Sequence, residues 1–370
     1  MSDKKVRLNR KLVEVIRDEK ATEDVRLKKV VYLVGLGADV NTRVQGKSVL
    51  SWALNTGEKK LSNFLREKGA KEWVIPQNEL EELGKQLMNA IKNNNKEEIS
   101  KLLEEGADVN QKDKYDETML IKAIINVNFD IAKILLQNGA DPNARGSLEE
   151  TALYKVAELG NVELVKLMIE KGGDVNARNY SKKTALMNAA MFGNLEILEL
   201  LLKNDAKVDF KDDSSETALI KAIINGNLDI AKILLQNGAD PNARGSLEET
   251  ALYKVAEKGN VELVKLMIEK GGDVNARNYS KKTALMNAAE HGNLEILELL
   301  LKNEAKVDLK DDDGKTAVDY AKNKGDVKIV EMIEKAMGEK TKITNDEKLN
   351  NNEVKQSGGF WDKILSGLGR

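Results

Sequence analysis

The sequence predicts an all-α solenoid of about ten stacked helix-turn-helix repeats joined by short β-hairpin-like tips. Three observations predict it. Threonines recur every 33 residues, at Thr118, Thr151, Thr184, Thr217, Thr250, Thr283 and Thr316. Each opens an apolar run of helical period. A Gly-Asn pair then interrupts that run, at Gly160-Asn161, Gly193-Asn194, Gly226-Asn227, Gly259-Asn260 and Gly292-Asn293. Self-similarity at a fixed period marks a linear stack, in which each unit buries its apolar face only against its neighbours.

Within a unit each element has a local cause. The threonine is an N-cap whose hydroxyl accepts from a first-turn amide, as before Ala152-Leu153-Tyr154-Lys155-Val156-Ala157. After the Gly-Asn break, Val162, Leu164, Val165, Leu167, Met168 and Ile169 fall on the apolar face of a second helix,. That helix stops at Gly172-Gly173, or at Gly139 one repeat earlier, where a left-handed C-cap is required,. A segment such as Asp174-Val175-Asn176-Ala177 is expected to be extended and to lead through a polar turn to the next threonine.

These residues resemble the ankyrin repeat. The resemblance rests on the Thr-x-Leu opening, the Gly-Asn break, Leu135-Leu136 before Gly139-Ala140-Asp141, and the Pro-Asn-Ala or Val-Asn-Ala hairpin, over roughly residues 10–337. It implies a protein-binding module that uses a concave groove and hairpin tips. Two departures stand out. The family's Thr-Pro-Leu-His reads Thr-Ala-Leu-Tyr, Thr-Ala-Leu-Met or Thr-Ala-Leu-Ile, and its turn glycine is replaced by Asp116, Glu149, Lys182, Ser215, Glu248 and Lys281, with only Gly314 kept.

The organisation expected is degenerate N-terminal repeats over 1–75 and regular repeats over 76–337, ending in a polar-faced cap at 316–337. A polar linker follows over 338–359, and a short amphipathic motif over 360–370. In the motif, Phe360, Trp361, Ile364, Leu365 and Leu368 share one helical face. It reads as a segment that binds a second protein, contacts a membrane surface or docks on its own solenoid.

Composition excludes much. Basic and acidic residues number 59 and 61, interleaved, for a net charge of −2. No basic stripe for nucleic acid results. There is no cysteine and one histidine, His291. Thiolate sites, Ser–His–Asp triads and multi-histidine metal sites are therefore not expected, and no cofactor is. The acidic runs Asp212-Asp213 and Asp311-Asp312-Asp313 lack the glutamate of a calcium loop and read as solvated hairpins,. Paired carboxylates abound, but none sits with a companion nucleophile, so hydrolysis is disfavoured and an enzyme is not expected. The start Met1-Ser2-Asp3-Lys4-Lys5 has no apolar run behind it. No secretion signal is expected, and the expected location is cytoplasmic, in a bacterium or in a host cell that receives the protein.

A second period of 99 residues overlies the first. Residues 120–213 and 219–312 differ at only seven of 94 positions. Three of those, Leu159/Lys258, Met191/Glu290 and Phe192/His291, fall in the two positions before the Gly-Asn break, which face the groove in ankyrin-like folds. The tips are unchanged between copies. Leu159, Met191 and Phe192 are therefore the expected partner-binding patch, extended by Ile125, Leu148 and Tyr180, while Phe360 and Trp361 are the expected binding residues of the separate tail motif,. The expected function is a non-catalytic scaffold or inhibitor. The alternative is an assembly protein whose tail tethers the solenoid to another subunit or a membrane surface.

Overall fold

The computed structural model describes residues 3–18, 21–44, 47–71 and 75–338. They divide into two compact units, Met1–Ala189 with Asn194–Lys207, and Ala190–Gly193 with Val208–Arg370. The linker beyond 338 and the motif at 360–370 lie outside the described residues.

Helix pairs follow one another throughout. The first unit holds α1 (Asp3–Arg17), α2 (Glu23–Gly35), α3 (Val49–Asn55), α4 (Lys59–Glu67), α5 (Gln77–Lys92), α6 (Lys96–Glu105), α7 (Met119–Ile125), α8 (Phe129–Gln137), α9 (Ala152–Leu159) and α10 (Val162–Glu170). It also holds most of α11 (Ala185–Phe192) and all of α12 (Leu195–Lys203). The second unit holds α13 (Ala218–Ile224), α14 (Leu228–Gln236), α15 (Ala251–Lys258), α16 (Val261–Glu269), α17 (Ala284–His291), α18 (Leu294–Lys302) and α19 (Ala317–Lys324), then a helix over 327–338. Strands are minimal: β1 (Arg43–Val44) pairs antiparallel with β2 (Lys47–Ser48), and single bridges join Arg145 to Thr151 and Arg244 to Thr250.

The threonine caps form as their chemistry requires. Thr118, Thr151, Thr217, Thr250 and Thr283 accept at Oγ1 from the amides of Ile121, Tyr154, Ile220, Tyr253 and Met286. Behind each cap the first helix buries nearly every apolar residue, as with Ala152, Leu153, Tyr154, Val156 and Ala157 of α9. The second helix buries a stripe, as with Leu164, Val165 and Met168 of α10. In the second unit, first helices lie beside first helices (α13, α15, α17, α19) and second helices beside second helices (α14, α16, α18). The apolar faces thus form one strip between two rows. The N-terminal helices obey the same rule: Leu12, Ile16, Val30, Leu50, Leu61 and Leu65 gather α1–α4 around a core. Arg26 is buried there, paired with Glu58 and lying over the Trp52 ring at 5.1 Å.

Successive repeats are also tied by asparagine. Asn143 accepts from the Asp174 amide at 2.7 Å and donates to the Gly172 carbonyl at 2.9 Å. Asn176 does the same for Lys207 and Asp205. In the second unit Asn242 takes Asp273 and Gly271, and Asn275 takes Lys306 and Glu304. Asp209 holds this position for the Asp240 amide, without an amide donor of its own.

One expectation is corrected. The segment 174–177 is a turn and not extended, because the Asp174 carboxylate accepts from the Asn176 amide and the Ala177 amide closes onto the Asp174 carbonyl at 3.2 Å. The replacements of the turn glycine do not disturb the tips. Asp116, Glu149, Lys182, Ser215, Glu248 and Lys281 all take the left-handed backbone, at φ between 57° and 63°, that Gly314 takes at 77°. An L-residue there costs about 1–2 kcal/mol, and the closing bond of each turn, such as Glu149 N–H to the Gly146 carbonyl at 2.9 Å, holds it in place.

The asparagine ties predict opposite effects at two positions. Asn242→Ala removes two bonds from an exposed site and should lower the urea unfolding free energy by about 1–2 kcal/mol. Asp209→Asn supplies the missing donor opposite the Gly238 carbonyl and should raise the urea midpoint. A midpoint unmoved by either change would show that the ties do not join repeats energetically.

Candidate partner-binding surface

The surface is built at the ends of the first helices. A helix end leaves its last carbonyls unpaired. Here a side chain from the following repeat takes them. Asn194 Nδ2 donates to the carbonyls of Ala157 at 2.7 Å and Glu158 at 3.0 Å. Asn227 does so for Ala190 and Met191, both at 2.9 Å, and Asn293 for Ala256 and Glu257. The approach needs a glycine at the break. Gly160 has φ +80°, and a Cβ there would meet Asn194 Oδ1 at 3.0 Å. Helices α9, α11 and α15 are pinned at their ends in this way, and the last side chain of each first helix from α7 to α17 is exposed.

In the first unit, Ile125 and Leu159 occupy such ends, 48% and 41% exposed. In the second, Met191 is half-buried, Phe192 is 49% exposed and Ile224 is 40% exposed. The same row continues through Glu257, Lys258, Glu290 and His291, all exposed. The three residues expected to form one patch are therefore divided between the units, Leu159 in the first and Met191 with Phe192 in the second.

The tips present a second pair of apolar side chains. Leu148 and Tyr180 are exposed, and the Tyr180 amide donates to the Leu148 carbonyl at 3.0 Å, joining neighbouring tips. Leu247 and Tyr279 repeat the arrangement at 2.9 Å. Phe360 and Trp361 lie outside the described residues.

Sequence reasoning missed Ile224, Leu247 and Tyr279. All three were readable by register, since each is the 99-residue twin of a residue already singled out, Ile125, Leu148 or Tyr180.

Beneath the tips lies a set of buried charges that corrects a second expectation. The acidic runs are not simply solvated: Asp212 and Asp311 are buried. Asp311 Oδ1 accepts from the amides of Asp313 and Lys315, and Oδ2 accepts from the Tyr320 hydroxyl at 2.5 Å. Asp212 organises its turn in the same way and meets Lys221 Nζ at 2.6 Å, with Glu216 at 2.9 Å. Asp113 and Lys122 form the same pair 99 residues earlier, at 2.6 Å. A carboxylate that accepts amides two and four residues on folds the turn around itself, and its remaining oxygen goes to the lysine or tyrosine nine residues on. Burial alone would raise the Asp113 carboxyl. The Lys122 ammonium and the Glu117 and Tyr115 amides outweigh it, holding the pKa below the usual carboxylate range. For Asp311, burial is likewise outweighed by Tyr320 and the turn amides. Burial opposes the Lys221 ammonium, yet Asp212 and Glu216 carry its pKa upward. Tyr154 and Tyr253, at the position of the family's histidine, have hydroxyls pushed up to about 12 by burial first of all.

Among the described residues no cluster of three or more His, Cys, Asp or Glu is disposed to hold a metal, and no helix is long and apolar enough to cross a membrane.

Helix pairs in two rows, threonine caps and tips at a 33-residue interval reproduce the repeat that the sequence resembles. The family described as ankyrin repeats (3 copies) matches residues 77–146, 153–245, 219–311 and 252–345. The chain belongs to the ankyrin-repeat family. Ankyrin repeats are in general protein–protein interaction modules, typically without catalytic activity. Compared with curated proteins, the chain matches none.

The turn aspartates predict acid lability in the repeats of this ankyrin protein. The folded pKa values of Asp113 and Asp311 lie below the unfolded value of about 3.9,. The stability they contribute is complete above that value and is lost as pH falls through the folded pKa. Urea midpoints should hold between pH 7 and 5 and fall below about pH 4. Asp311→Asn should flatten that fall while costing stability at pH 7. An equally steep fall in the variant would assign the acid response to other carboxylates.

Proposed function

We propose that the protein is a non-catalytic binding scaffold, or inhibitor, that grips a partner protein with the groove of first-helix ends and with its hairpin tips. The observation that carries this reading is the set of exposed or half-exposed apolar side chains at those ends within each unit, Met191, Phe192 and Ile224 in the second and, separately, Ile125 and Leu159 in the first. Nothing in the packing requires apolar residues there. The same backbone accommodates Lys258, Glu290 and His291 at the equivalent positions, so Leu159, Met191 and Phe192 are free to be polar and are not. Exposed apolar side chains set in a row offer the desolvated anchors on which protein interfaces depend.

The tip residues Leu148 and Tyr180 of the first unit, and Leu247 and Tyr279 of the second, are assigned to the same partner. The interleaved charge of the chain favours a protein over nucleic acid. The proposed setting is the cytoplasm.

The double substitution Met191→Glu with Phe192→His tests the reading, because it installs residues that the same fold already carries one duplication later. Helical content and melting should be unchanged. Affinity for the native partner should fall by about 1–4 kcal/mol, measured by calorimetry. Unchanged affinity would remove these residues from the interface and leave the difference between copies as drift on a solvated face.

A further inference from the structure

We infer that residues 360–370 of this same chain are an occupant of the row of first-helix ends in the second unit, covering Met191, Phe192 and Ile224 and competing there with the partner. The inference uses the surface assigned above but needs no external partner.

Two observations carry it. The first is reach. The described chain ends at residue 338, next to the last helix pair, and 21 residues separate it from Phe360. At most they span about 70 Å, at 3.3–3.6 Å per residue. From the pair of α19 back to Met191 and Phe192 there are four steps along the row of first helices. At 8–10 Å between packed helices, that is about 40 Å. A tether that covers its span holds its end at an effective concentration on the order of millimolar, so weak intrinsic affinity suffices for occupancy.

The second observation is shape and polarity. Phe360, Trp361, Ile364, Leu365 and Leu368 recur at helical spacing on one face. A helix of these 11 residues measures about 16 Å,, close to two steps of the row. The row offers two apolar steps, Met191 with Phe192 and then Ile224. Phe192 and Ile224 stay 49% and 40% exposed.

The absence of cysteine in the native chain makes the test direct. Leu368→Cys is combined with Ile224→Cys in the full-length protein, and separately with Lys265→Cys on the outer face of α16, which lies fewer repeats from the chain end. A second groove pair, Leu368→Cys with Phe192→Cys, guards against one position being poorly tolerated. Mild oxidation at micromolar protein without any partner should give an intramolecular disulfide in either groove pair at least about fivefold faster than in the Lys265 pair. The rate should not change with dilution, and Phe360→Ala with Trp361→Ala should bring it down to the control rate. Equal rates in groove and control pairs would overturn the inference, as would disulfide-linked dimers in place of the internal bond. Because no partner is present, either failure leaves the partner-binding assignment standing.

Discussion

The fold depends on one constraint: every repeat must leave its neighbour a place to bond. The ankyrin pair is too small to satisfy its own backbone. Its first helix ends with free carbonyls, and the turn after its second helix ends with a free carbonyl and a free amide. Asparagine answers both needs, because one side chain carries a donor and an acceptor. Asn194 spans the break to the carbonyls of Ala157 and Glu158, and Asn143 accepts from Asp174 while donating to Gly172. Asp209 shows what the identity is for, since it satisfies the amide and leaves the carbonyl without that donor. Such bonds contribute about 1 kcal/mol each, comparable with one well-buried methylene. Their weight lies in direction. Apolar stripes alone would let helices slide, whereas these bonds admit one register.

That constraint also explains where the sequence is free to change. Backbone-facing asparagines, buried threonines and the turn aspartates hold the frame, and they are unchanged between the two duplicated segments apart from Asp205/Glu304 and the Val127/Gly226 break. The ends of the first helices are pinned from behind and carry no packing duty in front. Leu159, Met191 and Phe192 are accordingly replaced by charged and polar residues in the second copy without any alteration of the helices that bear them, α15 and α17 ending at the same relative positions as α9 and α11. A surface decoupled from the frame in this way can acquire a partner, or a segment of its own chain, at little cost to stability.

Much of this was legible in the sequence, because the repeat states each rule several times. The threonine caps, the Gly-Asn break and the paired helices followed from period and cap chemistry alone. Other features were hidden by their residue types. Aspartate in a run reads as solvated, yet Asp212 and Asp311 are buried because turn amides and a lysine or tyrosine nine residues away supply what water would have supplied. Left-handed turns were masked because glutamate, lysine and serine stand where glycine is expected, and only the closing bonds of the turn reveal that the conformation persists. Of the candidate site, the positions were readable but their exposure was not. Register placed Met191 and Phe192 at a helix end, while only the structure separated a half-buried methionine from an exposed phenylalanine.

The central claim, that the ends of the first helices are the gripping surface, is tested most directly by photo-crosslinking in the source cell. A photoreactive residue is placed singly at Phe192, at Tyr180, and at Lys166 and Lys265 on the second helices, and the captured proteins are identified by mass spectrometry. The account predicts one shared partner captured from Phe192 and Tyr180 and absent from Lys166 and Lys265. Capture of that partner from the second-helix positions, with none from Phe192, would contradict it.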